Sequence, residues 1–238
     1  MKNEVFTKEK PELLDILSNS DTIIKKTDKK NFDHYSKWFN SFPDQLKAKE
    51  EMFLSKDELI SIVHWKLMNG TFRPGFIKRV EQNTDKEIME ASKGAFEIIE
   101  QALSDKRKTL FQEDGVDFDT VKSAINQLTK LHGIGVATAT GTLGLIPAIL
   151  SCAYNFIPFM SDQALYASVA KQKYQYTMAE YQLLYTTIIS EAKSIGISPR
   201  ELERAIWCND VGNKQKEKIE KKYKRKPDVL ESKNKKKI

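Results

Sequence analysis

Cysteine is scarce in this chain, whose 238 residues include only Cys152 and Cys208. Two thiols cannot build a disulfide framework, a four-cysteine zinc site or an iron-sulfur cluster held by four cysteines. Each cysteine stands beside a large aromatic residue, Tyr154 or Trp207. We therefore expect buried free thiols in a reducing compartment.

Long apolar runs and metal-ligand spacings are also missing. The longest apolar run, residues 143–153, is interrupted by glycine, proline and serine and falls short of the roughly 20 residues of a membrane span. The N-terminus is too charged for a secretory signal. His34, His64 and His132 have no metal-ligand spacing. We expect an intracellular protein with no membrane partner, no bound metal and no cofactor.

The net charge of +6 is concentrated near the C-terminus. Between Lys214 and Lys237 twelve basic residues stand against four acidic ones, whereas residues 1–212 carry a net charge of −2. The segments KKYKRK and KNKKK are polybasic and poor in apolar residues, so we expect a disordered tail or a frayed helix over residues 213–238. Such a tail can bind phosphates or act as a nuclear localisation signal, or it can simply aid solubility.

Helical patterns fill most of the sequence, and no alternating stretch indicates a strand. Ser55 and Glu58 form a capping box that begins a helix ending at Gly70. We expect Pro43 to end an earlier helix, and residues 1–30 to be a loosely ordered segment with one short helix. Later helices are expected over residues 84–103, 119–130, 162–171, 178–195 and 198–208. The prediction is an all-α domain over residues 31–212.

A hairpin with two glycines separates two of these helical patterns. Gly133 and Gly135 flank Ile134, with His132 before them and Thr138 in the helix that follows. Two glycines permit a tight turn and leave amides exposed at the start of the second helix, where the helix dipole favours an anion. We expect this hairpin to bind a phosphate; an ordinary turn between two helices is the alternative.

Residues 131–139, LHGIGVATA, resemble the hairpin of the helix-hairpin-helix, Gly-Pro-Asp superfamily of base-excision DNA glycosylases. Residues 158–162, PFMSD, resemble the loop that presents the catalytic aspartate of that superfamily. Residues 64–74 and 203–207 look like segments that accompany this hairpin in a group of uncharacterised eukaryotic proteins. The resemblance implies a two-lobed, DNA-glycosylase-like helical domain. It also implies that no lyase activity is present, because Ala137 occupies the place of the Schiff-base lysine of bifunctional members.

Asp162 is the candidate catalytic residue. Its functional interpretation is that a carboxylate one helix beyond the hairpin stabilises the oxocarbenium-like sugar formed when a base leaves, or activates water. Its structural alternative is equally simple, because an acid that follows Ser161 at a helix start complements the helix dipole.

Lys66 and Arg73 complete the candidate DNA-binding residues, which are His132, Gly133, Ile134, Gly135, Thr138, Lys66 and Arg73. These two cations lie in a basic and aromatic segment with Trp65, which falls near the apolar stripe and is expected in the core. Arg73 precedes a proline in a stiff turn, where it can reach a phosphate or pair with Asp162.

The leading hypothesis is a nuclear DNA-binding protein that acts as a monofunctional glycosylase on a damaged or mismatched base. The alternative is a non-catalytic member of the same fold that binds DNA or serves as a protein scaffold.

Overall fold

The computed structural model describes residues 4–27, 29–71, 73–108, 116–146, 156–169 and 173–224. These ranges contain helices and no strand, so the all-α prediction is confirmed. The elements are a 3₁₀-helix Glu4–Thr7, then α1 Lys10–Ser18, α2 Ser20–Lys25, α3 Phe32–Lys47, α4 Lys56–Asn69, α5 Phe76–Val80, α6 Asp85–Lys108, α7 Phe118–Leu128, α8 Val136–Leu143, α9 Asp162–Ser168, α10 Met178–Ile195 and α11 Pro199–Lys224.

Helix α4 begins and ends where its sequence indicates. The Ser55 hydroxyl accepts a hydrogen bond from the Glu58 amide at 3.3 Å, and the Glu58 carboxylate accepts one from the Ser55 amide at 2.7 Å. The helix ends before Gly70. Local capping chemistry therefore sets the position of α4, whose C-terminal end lines a cleft in the protein surface.

The helices pack around one main apolar core. Helices α6 and α7 pair closely, and α8 lies against both α4 and α7. Helix α9 packs on α10 and α11, while α1 and α2 also contact α11. The start of α8 is thus supported by α4 and α7, and the start of α9 by α10 and α11. No helix in the described ranges is long and apolar enough to cross a membrane.

Residues 4–27, for which the sequence predicts a loosely ordered segment with one short helix, contain a 3₁₀-helix and two α-helices in the structure. Leu13 and Ile24 are fully buried, and the Lys10 ammonium donates to the Gly196 carbonyl oxygen at 2.7 Å. The helices here are short, with weak periodicity, but their apolar side chains are buried in the tertiary fold. Tertiary burial, which a local pattern does not reveal, stabilises them.

Two other helix ends also differ from expectation. Pro43 lies inside α3 rather than at its end, because Phe42 and Leu46 on either side of it are fully buried and hold the helix in the core. Helix α11 continues past the predicted boundary at residue 212, and the Gln215 amide donates to the Ile23 carbonyl oxygen at 3.0 Å. Residues 225–238 of the predicted tail lie outside the described residues.

Candidate functional site

A cleft of about 200 Å³ lies between the C-terminal end of α4, the first turn of α8 and the start of α9. Five of the residues singled out in the sequence line it: Lys66, Arg73, Gly135, Thr138 and Asp162. These residues span nearly 100 positions of the chain. The structure therefore brings together the predicted carboxylate, the two predicted cations and part of the predicted hairpin.

Asp162 is the first residue of α9 and is half-buried. The preceding residue, Ser161, caps the helix by accepting a hydrogen bond from the Ala164 amide at 3.2 Å. One Asp162 oxygen, Oδ2, would lie only 3.6 Å from a Cβ atom at Gly70. The carboxylate thus lies against the end of α4, at van der Waals distance from the Cβ position of residue 70.

Tyr176 is the partner of this carboxylate. Its phenol donates a hydrogen bond to Asp162 Oδ1 at 2.8 Å, and its backbone adopts a left-handed conformation with φ 58°. Burial, followed by the hydrogen bond and the negative charge of Asp162, raises the pKa of Tyr176 to about 12. The phenol therefore stays protonated at neutral pH and remains a donor. Sequence reasoning missed Tyr176, which belongs to no motif.

Arg73 contacts Tyr176, the hydrogen-bond partner of Asp162. Its exposed guanidinium lies over the Tyr176 ring, 5.5 Å from the centroid, and no ion pair joins it to Asp162 among the described residues. The direct pairing that the sequence allowed is therefore not observed. The positive charge of Arg73 opposes the rise in the Tyr176 pKa.

Two lysines surround the same carboxylate. The Lys66 ammonium is half-buried and lies 5.2 Å from the centroid of Phe76; burial and the charge of Arg73 lower its pKa, while Asp162 opposes the shift. Lys29, which the sequence did not single out, donates to the Met68 carbonyl oxygen at 2.6 Å and so caps α4. Burial also lowers the pKa of Lys29, again opposed by Asp162.

Only the end of the hairpin reaches the cleft. Gly133 has φ 76°, and a Cβ atom there would lie 3.1 Å from a Val80 methyl. Asn83 clamps the turn, because its amide donates to the His132 carbonyl at 3.0 Å and accepts from the His132 amide at 2.7 Å. His132 is exposed outside the cleft, and Ile134 is buried. These residues of the hairpin pack the turn against the end of α5.

Gly135 is the residue that precedes α8. A Cβ atom there would meet nothing within 4 Å, and φ is −101°, so no left-handed strain is present. The Gly135 carbonyl accepts from the Thr138 and Ala139 amides at 3.0 Å each. The earlier amides, on Val136 and Ala137, have no partner within the helix, and both residues line the cleft. This wall is suited to a negatively charged group.

A buried ion pair supports the loop that presents Asp162. The Ser161 hydroxyl donates to Glu203 at 2.9 Å, and Glu203 pairs with Arg200 at 2.6 Å. Burial raises the pKa of Glu203 and lowers that of Arg200. The Tyr181 phenol, itself fully buried, donates to the Pro158 carbonyl oxygen at 3.1 Å. These long-range hydrogen bonds fix the loop before α9.

Trp65 and Cys208, which the sequence predicts to be buried, lie in the core. Trp65 is buried and stacks on Phe39 with ring centroids 3.7 Å apart. Cys208 is a buried free thiol, as expected, and burial raises its pKa to about 11. Cys152 lies outside the described residues. Within the described part of the chain, no group of three or more His, Cys, Asp or Glu side chains could hold a metal ion.

No protein-family model, curated protein or solved structure matches this chain.

Proposed function

We propose that the protein is a monofunctional DNA glycosylase with a two-lobed fold of the helix-hairpin-helix type, hydrolysing a damaged or mismatched base from duplex DNA. The observation that carries the proposal is the cleft itself. It combines the Asp162 carboxylate, the cations Lys66 and Arg73, and the amide-bearing start of α8. A glycosylase needs this combination, because a phosphate must be held while positive charge develops on the adjoining sugar.

In this proposal Asp162 acts on the sugar. As the bond between C1′ and the base nitrogen breaks, its electrons leave with the base and C1′ becomes cationic; a water oxygen then bonds to C1′. The carboxylate stabilises the cation and accepts the proton of the water. Tyr176 holds Oδ1 and is the one hydrogen-bond donor to Asp162 among the described residues, so Oδ2 is the oxygen for this task.

In this proposal the wall at the start of α8, together with Lys66 and Arg73, binds the DNA backbone. The first amides of α8 and the charges of Lys66 and Arg73 are placed to contact phosphates flanking the extruded nucleotide. Ala137 lines the same wall and offers no amine. The reaction therefore passes through no imine, and cleavage of the sugar-phosphate backbone is not part of it.

A non-catalytic DNA-binding or scaffold role is the second candidate. The observation that favours it is the position of Asp162 in the first turn of α9, where its charge complements the helix dipole and its hydrogen bond holds Tyr176. Both interactions would keep an aspartate at this position without any turnover.

The deciding experiment is a panel of duplexes that carry deaminated, oxidised or alkylated bases and mismatches. The full chain is incubated with each duplex, and abasic sites are revealed by alkali cleavage. Base release from one member, with no adduct trapped by borohydride, supports the glycosylase. DNA binding without base release from any member favours the second candidate instead.

A further inference from the structure

A second pocket, of about 210 Å³, lies where helices α1, α3, α4 and α11 meet. Its lining includes Leu17, Ser36, Asn40, Trp65, Arg200 and Arg204, together with Glu201. None of these residues lines the cleft that contains Asp162. The pocket is therefore distinct from the cleft, and the two are linked through Arg200, which pairs with Glu203, the residue that holds Ser161 beside Asp162. The inference that follows does not rest on the proposed function.

Ser36, one of the residues that line this pocket, has an unsatisfied polar group. The residue is only 3% exposed, and its hydroxyl has no hydrogen-bond partner in the described structure. A buried hydroxyl without a partner destabilises a fold, and most buried side-chain polar atoms in proteins are paired. A ligand that accepts a hydrogen bond from the Ser36 hydroxyl would remove this energetic cost.

Two arginines face the same space with most of their donors unused by described residues. One Arg200 nitrogen pairs with Glu203 at 2.6 Å, and one Arg204 nitrogen meets Asn69 Oδ1 at 3.5 Å, the limit of a hydrogen bond. Each guanidinium is also held over an aromatic ring, Arg200 at 5.5 Å from the Trp65 centroid and Arg204 at 4.7 Å from that of Trp207. A guanidinium has five N–H donors in a planar fork, which suits a tetrahedral oxyanion.

The one acid among the described residues of the lining is already engaged. Glu201 accepts a hydrogen bond from the Ser198 amide at 2.8 Å, where it completes the capping box of α11. The other polar groups, namely the Ser36 hydroxyl, the Asn40 amide and the two guanidinium groups, can all donate.

We infer that this pocket binds a phosphate-class oxyanion, either inorganic phosphate or the phosphate of a small phosphomonoester. Arg200 and Arg204 supply the charge, and Ser36 and Asn40 supply neutral donors. Leu17 and Trp65 form the apolar part of the wall.

To test this inference, the full chain is titrated with inorganic phosphate at constant ionic strength. Binding is measured by calorimetry and by the chemical shifts of backbone amides in NMR spectra. We expect saturable shifts at residues 36, 40, 200 and 204. Ser36→Ala should weaken binding about tenfold without loss of thermal stability, because the hydroxyl has no partner to lose. Arg204→Gln should weaken it at least tenfold. The control is Lys122→Gln, which removes an exposed positive charge on α7 outside both pockets and should bind phosphate as the parent does.

A parallel titration with glycerol 3-phosphate identifies the source of the phosphate. Tighter binding than inorganic phosphate assigns the pocket to a phosphomonoester, and equal or weaker binding assigns it to free phosphate. Unchanged affinity in both Ser36→Ala and Arg204→Gln would overturn the site. So would phosphate shifts that map to residues 66, 73 and 135–138 and disappear in Arg73→Gln, because the anion would then occupy the other cleft.

Discussion

The Tyr176 phenol donates to the Asp162 carboxylate at 2.8 Å from a backbone that is itself left-handed, at φ 58°. A bulky residue in this conformation costs about 1–3 kcal/mol and persists only where the surrounding structure holds it. The strained turn places the ring between Asp162 and the Arg73 guanidinium. Tyr176 thereby links the exposed cation to the half-buried carboxylate.

The titration of Tyr176 should report this arrangement. Because its folded-state pKa is about 12, above the ordinary value of 10.0, the phenol contributes stability that is complete below pH 10 and is lost as the pH rises through 12. Absorbance or tyrosine NMR titrations of the parent and Tyr176→Phe isolate this group by difference. Asp162→Asn should lower the Tyr176 pKa, because the neighbouring negative charge is removed. A difference curve centred at pH 10 in the parent would contradict the arrangement.

Replacement of Asp162 tests the proposed chemistry. On a duplex from which the parent releases a base, Asp162→Asn should lower the rate at least 100-fold while DNA affinity changes little, since an amide neither accepts the proton nor balances the sugar cation. Asp119→Asn is the matched control, because Asp119 is an exposed acid in the first turn of α7. Equal activity in Asp162→Asn and Asp119→Asn would show that Asp162 is not catalytic.

A substitution at Gly135 tests whether the start of α8 binds phosphate, and it should not disturb the fold. Gly135 has open space and no left-handed backbone, so Gly135→Asp should fit and cap α8, with stability unchanged or raised by a few tenths of a kcal/mol. Its carboxylate would occupy the first-turn amides and weaken duplex binding about tenfold or more. Asn126→Asp adds the same charge on the exposed face of α7 and should have a smaller effect. Similar binding losses in the two variants would indicate a charge effect alone.

Gly133 should behave in the opposite way, as a residue of the fold. Gly133→Ala places a Cβ atom at φ 76° and 3.1 Å from a Val80 methyl, so it should lower the free energy of unfolding by about 2–4 kcal/mol. Gly196→Ala is the control, since it has φ 79° but no atom within 4 Å and should lose only about 1–2 kcal/mol. Urea unfolding measures both. Equal losses would mean that the contact with α5 is easily relaxed.

Removal of residues 225–238 should affect DNA binding more than stability. The segment carries six Lys or Arg against two acidic residues, so its loss should flatten the dependence of duplex affinity on salt. A cut after residue 212 should in addition remove the hydrogen bond from Gln215 to Ile23 and reduce the melting temperature. An unchanged salt dependence after removal of residues 225–238 would show that the segment does not contact DNA.

Part of the fold could be predicted from the sequence because helix-capping residues and apolar periodicity act locally. The capping box of Ser55 and Glu58 placed the start of α4, and apolar periodicity identified α7. Such signals act over a few residues and depend little on tertiary structure. Pro43 shows the limit, because its local tendency to end a helix is outweighed by the burial of its neighbours.

The sequence predicted the site residues that belong to recognisable motifs. It did not predict the residues that reach the site only through tertiary contacts. Asp162 and Gly135 were identified from their own segments. Tyr176, Lys29 and Asn83 reach the site or the hairpin across long stretches of chain, and nothing in their neighbours in the sequence indicates a partner. The sequence also placed His132 and Ile134 with Gly135, whereas the turn directs only Gly135 into the cleft.

Helix α11 is one continuous helix that carries Glu203, which supports the loop before Asp162, and extends to Lys224 in the basic C-terminal region. Glu203, which accepts the Ser161 hydrogen bond, and Lys224, the last residue of the helix, are separated by about 32 Å along a straight helical axis. This length corresponds to roughly nine base pairs of duplex. If DNA is the ligand, α11 therefore sets a constant spacing, so a nuclease footprint should extend asymmetrically to one side of the reacting nucleotide by about one helical turn of DNA.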